Sequence, residues 1–445
     1  MAAAAARRRG AGRPRPGRAR DALVFLAGAA AAVLVLLLAA PSPSLPVEFL
    51  PPPAAAAAAG QEATVRTFYD DPELAYTVDG RVTAGWDAKR AEWLRSRGLA
   101  AGAGAPERVV MVSGSQPEPC HGAAGDHLLL RFLKNKADYC RLHGIELLYN
   151  RAVLHPAMAW CWAKIPLVRA AMLAHPEAEW VWWVDEDAVL TDMDFSLPLA
   201  KYAGRNFVLH GHPKKVFEEK SWVGLNAGVF LIRNCQWSLD FLDEWARMGP
   251  AWPEGHARAG KAIRAALSDI DHDWANDQSA LVYLLISNWG RLGKKTHIET
   301  EYDFQGYWEE ILGWLNGTAA RYEAAERRPG AGAAGLRRRH AEREHLWYAA
   351  ARNAAVRGAV PGPPGGAELD GWRRPLITHF VGCQPCGGGR NPMYSQRSCD
   401  DGMRLALNLA DDQVLRAYGF RHAAPLDDAV VPLPFDYPAA RARKG

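Results

Sequence analysis

The sequence predicts an α/β domain, a mostly parallel sheet with helices on both faces, preceded by one N-terminal transmembrane helix. Two observations carry this. From residue 106 onward, short apolar runs of strand length alternate with longer segments of helical spacing. Near the start, nineteen uninterrupted apolar residues, Ala22 to Ala40, follow a tail holding Arg7, Arg8, Arg9, Arg13, Arg15, Arg18 and Arg20.

The apolar run comes first in chain order. At 1.5 Å per residue it spans roughly 28 Å, close to the hydrocarbon thickness of a bilayer. It is longer than the core of a cleaved signal peptide, and no Lys or Arg follows until Arg66. The positive-inside rule therefore puts residues 1–21 in the cytosol and the rest in a lumen. The basic tail more than accounts for the formal charge of +4, leaving the remainder near neutral. Such a remainder has no electrostatic footprint for nucleic acid, which excludes that partner.

Residues 41–105 read as a stem, since Pro41 to Gly60 is rich in Pro, Ala and Ser and Ala100 to Pro106 is a second break. The domain, 106–445, opens with a strand over Arg108–Ser113. A helix follows over Asp126–His143, stopped by Gly144, then a strand over Ile145–Tyr149. Lys164–Ala174 is a helix that tolerates Pro166 in its first turn, and Trp180–Val184 is a strand. Val208–His210, Val229–Arg233 and Ile377–Phe380 add strands, while Gln236–Met248, Asp277–Ser287 and Asp400–Tyr418 add helices. Residues 323–371, rich in Ala, Arg and Gly, read as a low-complexity insertion with a helix over Leu336–Arg352. No internal repeat is present.

Seven cysteines follow the apolar run. Cys383-Gln-Pro-Cys386 has no matching second pair, so a local structural disulfide arrangement is expected in place of zinc, with the pairing open. Asn316-Gly317-Thr318 is an acceptor site for N-glycosylation.

Chemistry concentrates in Trp180-Val-Trp-Trp-Val-Asp-Glu-Asp-Ala188. Ligands of open α/β sheets bind beyond the carboxyl ends of strands, where these three acids sit. Asp185 and Asp187, two apart, can face one side while Glu186 points away. Carboxylates crowded beside a buried strand repel one another unless a cation joins them, and oxygen ligands suit Mn²⁺ or Mg²⁺.

The run from Ser113 to Pro250 resembles the plant family of xyloglucan 6-xylosyltransferases and galactomannan 6-galactosyltransferases. The resemblance rests on Gly125-Asp-His-Leu-Leu-Leu-Arg131, Lys134-Asn-Lys136, Asp138-Tyr-Cys-Arg-Leu-His-Gly144, Trp162-Ala-Lys164, Lys220-Ser-Trp222 and Leu225-Asn-Ala-Gly-Val-Phe-Leu-Ile-Arg-Asn-Cys-Gln-Trp237. It resumes at Asp277-Gln-Ser-Ala280, Thr378-His-Phe-Val-Gly-Cys-Gln-Pro-Cys386 and Pro434-Phe-Asp-Tyr437. It implies a GT-A fold, a Golgi type II membrane protein, and retaining transfer of xylose or galactose from a UDP-sugar in α-1,6 linkage. The acceptor would be a β-1,4-glucan or β-1,4-mannan, and assembly with related transferases is compatible with the resemblance.

By position, Asp185, Asp187 and His379 would hold Mn²⁺ under the diphosphate. Asp277 and Gln278 would stand beside the reacting sugar, with Lys164, Asn226, Gly228, Gly382 and Gln384 around the donor. Without the resemblance, an N-cap role explains Asp277 and a tight turn explains Leu225 to Gly228. Trp222, Trp308 and Trp314 are the candidate acceptor platforms among seventeen tryptophans. Three positions depart from the family pattern. Glu186 replaces a small residue, Asn276 a frequent aspartate, and Gln384 the lysine of xylosyl members. The last points to the galactosyl branch, and Glu186 with Gln384 motivates the rival reading of a non-catalytic scaffold.

Overall fold

The computed structural model describes residues 78, 83–99, 107–326, 354–360, 373–386 and 389–432. The apolar run 22–40, the helix read over 336–352 and Pro434 to Tyr437 lie outside them. Among the described residues no helix is long and apolar enough to cross a membrane.

The main sheet has six strands: β1 (Val109–Gly114), β2 (Glu146–Asn150), β3 (Trp180–Val184), β5 (Phe207–Gly211), β6 (Leu225–Arg233) and β7 (Thr296–Glu299), in the order β2-β1-β3-β6-β5-β7. Five run parallel to one another; β6 alone is reversed, pairing antiparallel with β3 and β5. The sheet is thus mostly parallel, as expected, with its one reversed strand in the interior. A three-stranded sheet lies beside it: β4 (Ala188–Leu190), β9 (Ile377–His379) and β8 (Gly306–Tyr307), in the order β4-β9-β8.

The alternation of side chains along each strand divides the core between two faces. Val181 and Trp183 of β3 join Val110, Val112, Phe230 and Ile232 on one face. That face packs against α3 (Lys164–Ala174), α4 (Gln236–Ala246) and α6 (Asp277–Ser287). Trp180, Trp182 and Val184 join Met111, Val229 and Leu231 on the other. There they meet α2 (Ala123–His143) and α8 (Gln396–Leu415). All five residues of β3 are buried, so its carboxyl end delivers the acidic turn from the middle of the core.

Several boundaries move. α1 (Trp86–Ser96) falls inside the span read as stem, yet the Trp86 indole is buried and donates to Asn234 Oδ1 at 2.8 Å. Arg90 donates to the Pro176 and Ala178 carbonyls at 2.7 and 3.0 Å. The folded domain thus begins before residue 100. β6 starts at Leu225, four residues earlier than the sequence suggests, because Asn226 to Gly228 continue the strand and form no turn. α7 (Trp308–Glu326) runs through the start of the low-complexity stretch, burying Tyr322 and Ala325. α5 (Pro253–Ala266) was not anticipated, its alternating Ala, Gly and charged residues giving only a narrow apolar stripe.

The CxxC cysteines are not bonded to each other. Cys383 pairs with Cys399 and Cys386 with Cys120, the latter bond joining segments 266 residues apart. The expected local arrangement holds only for the first.

Candidate functional site

Asp185 extends the β3–β6 ladder by one step, its N–H donating to the Gly228 carbonyl at 2.8 Å. Its carboxylate accepts from the Trp183 indole at 2.5 Å. Three residues on, the chain enters β4, whose antiparallel pairing sets Ala188 opposite His379 of β9. The Phe380 N–H donates to the Asp187 carbonyl at 3.0 Å and fixes that corner. The register explains how a histidine 192 residues away in sequence reaches Asp187. Its Nε2 lies 2.9 Å from Asp187 Oδ1 and 3.9 Å from Asp185 Oδ2. One ligand atom from each of Asp185, Asp187 and His379 fits within a 4.8 Å cluster.

Gly228 faces this cluster and must lack a side chain. A Cβ there would stand 2.2 Å from His379 Cε1 and 2.7 Å from Asp185 Oδ2. Burial raises the Asp185 pKa, with Asp187 and Asp277 adding to the effect while Lys164 and His379 oppose it. Two carboxylates and an imidazole nitrogen, crowded and partly dehydrated, form a donor set suited to Mn²⁺ or Mg²⁺.

Lys164 stands at the first turn of α3 and is buried, its ammonium 3.2 Å from Asp185 Oδ1 and 2.8 Å from Asp277 Oδ2. It also donates to the Ala227 carbonyl at 3.1 Å. Burial works against its charge, but Asp185 and Asp277 more than offset that and raise its pKa. Lys164 thus couples the acidic cluster to the start of α6.

At that start the N-cap is Asn276, not Asp277. Asn276 and Ser279 form a reciprocal capping box, which gives the Asn at this position a structural reason. Asp277 is left free of capping and turned to Lys164. Gln278 is committed differently from what the sequence suggests. Its Oε1 accepts from the Ala227 N–H at 3.1 Å and its amide donates to the Trp222 carbonyl at 3.1 Å. It therefore positions the start of β6. Asn226 bonds to the Gly228 N–H at 2.6 Å.

Gly382 and Gln384 belong to the disulfide loop. Gly382 has φ +82°, and its carbonyl accepts from the Asn391 N–H at 2.7 Å. Gln384 is exposed, its N–H bonded to the Gly389 carbonyl at 2.8 Å. Of the three tryptophans named as platforms, Trp308 is core, stacked on Phe380 at 5.6 Å. Trp314 packs into a small apolar cluster, and Trp222 is half-buried beside Gln278. Asn316 is exposed on α7 while Thr318 is buried.

Sequence reasoning gave no role to Lys136. It lies fully buried on α2, its ammonium donating to the Glu186 and Ala188 carbonyls at 2.9 Å each. It clamps the turn that carries Asp185 and Asp187. Its physical signal in the sequence is a lysine on the apolar face of a helix, within the Lys134-Asn-Lys136 motif. Glu186 is not part of the three-residue cluster, and its Oε1 is buried without a hydrogen-bond partner among the described residues. Burial, ahead of its acidic neighbours, pushes its pKa up to about 7.

A mixed α/β sheet thus brings an acidic turn, a histidine and a buried Lys–Asp pair together at one end. The chain belongs to the galactosyl transferase GMA12/MNN10 family, whose profile matches residues 105–389. It is 66% identical over 389 residues to "Probable glycosyltransferase 6" of Oryza sativa subsp. indica, covering 86% of this chain and 80% of that protein. It is 50% identical over 375 residues to "Galactomannan galactosyltransferase 1" of Cyamopsis tetragonoloba, covering 84% and 82%. To "Glycosyltransferase 6" of Arabidopsis thaliana it is 46% identical over 376 residues, covering 83% of each. The chain is accordingly a sugar-transferring enzyme that uses a nucleotide-sugar donor and a glycan acceptor.

Proposed function

We propose that this chain is a retaining, GT-A-type transferase that moves galactose or xylose from a UDP-sugar onto a β-1,4-mannan or β-1,4-glucan in α-1,6 linkage. Galactose onto mannan is the favoured pair. The observation that carries the reading is the join of Asp185, Asp187 and His379 to Asp277 through the Lys164 ammonium. Gln384, and the name of the Cyamopsis tetragonoloba relative, favour the galactosyl pair.

Asp185, Asp187 and His379 would hold Mn²⁺ or Mg²⁺, which when bound supplies positive charge to the diphosphate leaving group. The chain's own residues do the rest. Lys164 pairs with Asp277 and fixes it, so that its carboxylate can accept hydrogen bonds from sugar hydroxyls. Gln278 holds the Ala227 backbone that Lys164 also grips, and Gly228 leaves room for a ligand against the strand. No carboxylate pair of the kind that flanks a scissile bond in glycoside hydrolases is invoked; the acceptor hydroxyl attacks the face that UDP leaves.

Residues 22–40 would anchor the protein as a single-pass type II protein of the Golgi membrane, with an N-glycan on Asn316. Two disulfides suit the oxidising lumen that this orientation requires.

Incubating the full-length protein with Mn²⁺ and either UDP-galactose or UDP-xylose, over manno- and cello-oligosaccharides, tests the reading by product mass. One hexose added to manno-oligosaccharide, and nothing with Asp187→Ala, is the expected result. Protein that binds UDP yet transfers to no acceptor would sink it.

A further inference from the structure

Two indoles near the start of α6 are largely exposed. Trp160 is 88% exposed and holds a left-handed backbone at φ 59°, a conformation that a bulky residue adopts at a cost. Its neighbour Cys161 interacts with Asp277, and four residues on stands Lys164, whose ammonium contacts the same aspartate. Trp274 is 54% exposed and lies three residues before Asp277.

Trp274 is held rigidly. It stacks on His272 at 4.0 Å with the ring planes 10° apart, and the His272 ring bonds to the Trp274 carbonyl at 3.1 Å. Arg264 of α5 pairs with Asp273 at 3.1 Å. Gly260 lets α5 press against this turn, since a Cβ there would stand 2.0 Å from the Asp273 carbonyl oxygen. A third indole, Trp222, sits half-buried with its carbonyl bound by Gln278, and exposed Val223 follows it.

Exposed aromatics fixed around a reactive centre mark a surface that a ligand covers. Each is tied to the Asp277–Gln278 pair by a different segment, and each adds apolar area without charge. Such a rim suits a neutral ligand and offers nothing to the diphosphate. Pyranose rings of a β-1,4-linked chain present flat C–H faces at every residue, and these lie well on indole planes.

We infer that Trp160 and Trp274 form the acceptor-binding platform, stacking successive sugar rings of a β-1,4-linked glycan on either side of Asp277. The inference rests on the transferase reading for the identity of the chain but not for its test. Both residues are exposed, so their replacement spares the core.

The test titrates the full-length protein with mannohexaose and cellohexaose while following intrinsic tryptophan fluorescence, in wild type, Trp160→Ala, Trp274→Ala and Trp160→Phe. Each alanine variant is expected to weaken oligosaccharide binding about tenfold, with phenylalanine restoring most of it. UDP binding should stay within twofold of wild type. In the transfer assay the loss falls on the acceptor KM and grows with acceptor length. Oligosaccharide binding unchanged in both alanine variants overturns the platform, as does a wild type that binds neither hexaose. A wild type that transfers no sugar yet binds oligosaccharide through Trp160 would reject the transferase reading and uphold the platform.

Discussion

Lys136 and Lys164 approach the Asp185–Asp187 turn from helices on opposite faces of the sheet, and both are buried. Their electrical surroundings differ. Lys164 meets Asp185 and Asp277 directly, and its pKa is raised because two close carboxylates outweigh burial. Lys136 meets two peptide carbonyls and the Phe132 ring, 5.3 Å away. Burial there pushes its pKa down to about 8, although Glu186, Asp187 and Asp185 pull the other way. One lysine balances the charge of the site; the other shapes the backbone that presents it. A buried ammonium is therefore not one kind of object, and what it touches decides whether its loss harms chemistry or only geometry.

Lys164→Met is the sharpest way to break the comparison. It leaves buried Asp277 and half-buried Asp185 without their shared ammonium, at a cost of about 3–5 kcal/mol in stability. Displacement of Asp277 should lower transfer on the order of a hundredfold. Thermal melts and initial rates measure both. Asp277→Asn added to Lys164→Met should return part of the stability and none of the activity. Equal stability of Lys164→Met and wild type would mean the pair is not coupled as described.

Gly228→Ala attacks the same site without touching a charge. The new methyl must displace His379 or Asp185. The fold should persist, because β6 keeps its ladder with β3 and β5. Mn²⁺ affinity, read by titration calorimetry with UDP present, should fall about 10–100-fold. Unchanged affinity would show that the metal sits away from Gly228.

Much of this was legible in the sequence wherever a segment carries its own signal. Trp180–Val184, Lys164–Ala174 and Asp277–Ser287 match their elements residue for residue, since apolar runs and helix ends are local properties. Asp185 and Asp187 were visible because a buried strand ends in them. The residues that complete the site were not visible on physical grounds alone. β4 is three residues long and exists only by pairing with β9, so nothing near Ala188 announces that His379 will lie opposite. Lys164 and Asp277 meet across 113 residues, and their ion pair left no pattern in either segment. Gly228 read as a turn because glycine in a strand has the same local signature as glycine in a loop. Trp86 sat in a stretch weak in apolar residues, where its contact with Asn234 could not be foreseen.

The smallest predicted effect isolates Lys136. Its pKa is lower in the folded chain than the ordinary lysine value, so the unfolded chain binds more protons between about pH 8 and 10.5. Stability contributed at this site therefore rises with pH across that window. Below pH 8 both states are protonated and the desolvation cost is present in full. Lys136→Met removes the titrating group but leaves the Glu186 and Ala188 carbonyls without their donor, a loss of about 1–3 kcal/mol set against the relieved burial of a charge. At pH 7 the two variants should melt within a few degrees of each other. Raising the pH to 10 should move the melting temperature of wild type upward relative to Lys136→Met, because only wild type sheds a buried charge. Movement in the opposite direction would mean that Lys136 is stabilised by the acidic turn, as Lys164 is, and the two lysines would then be doing the same work.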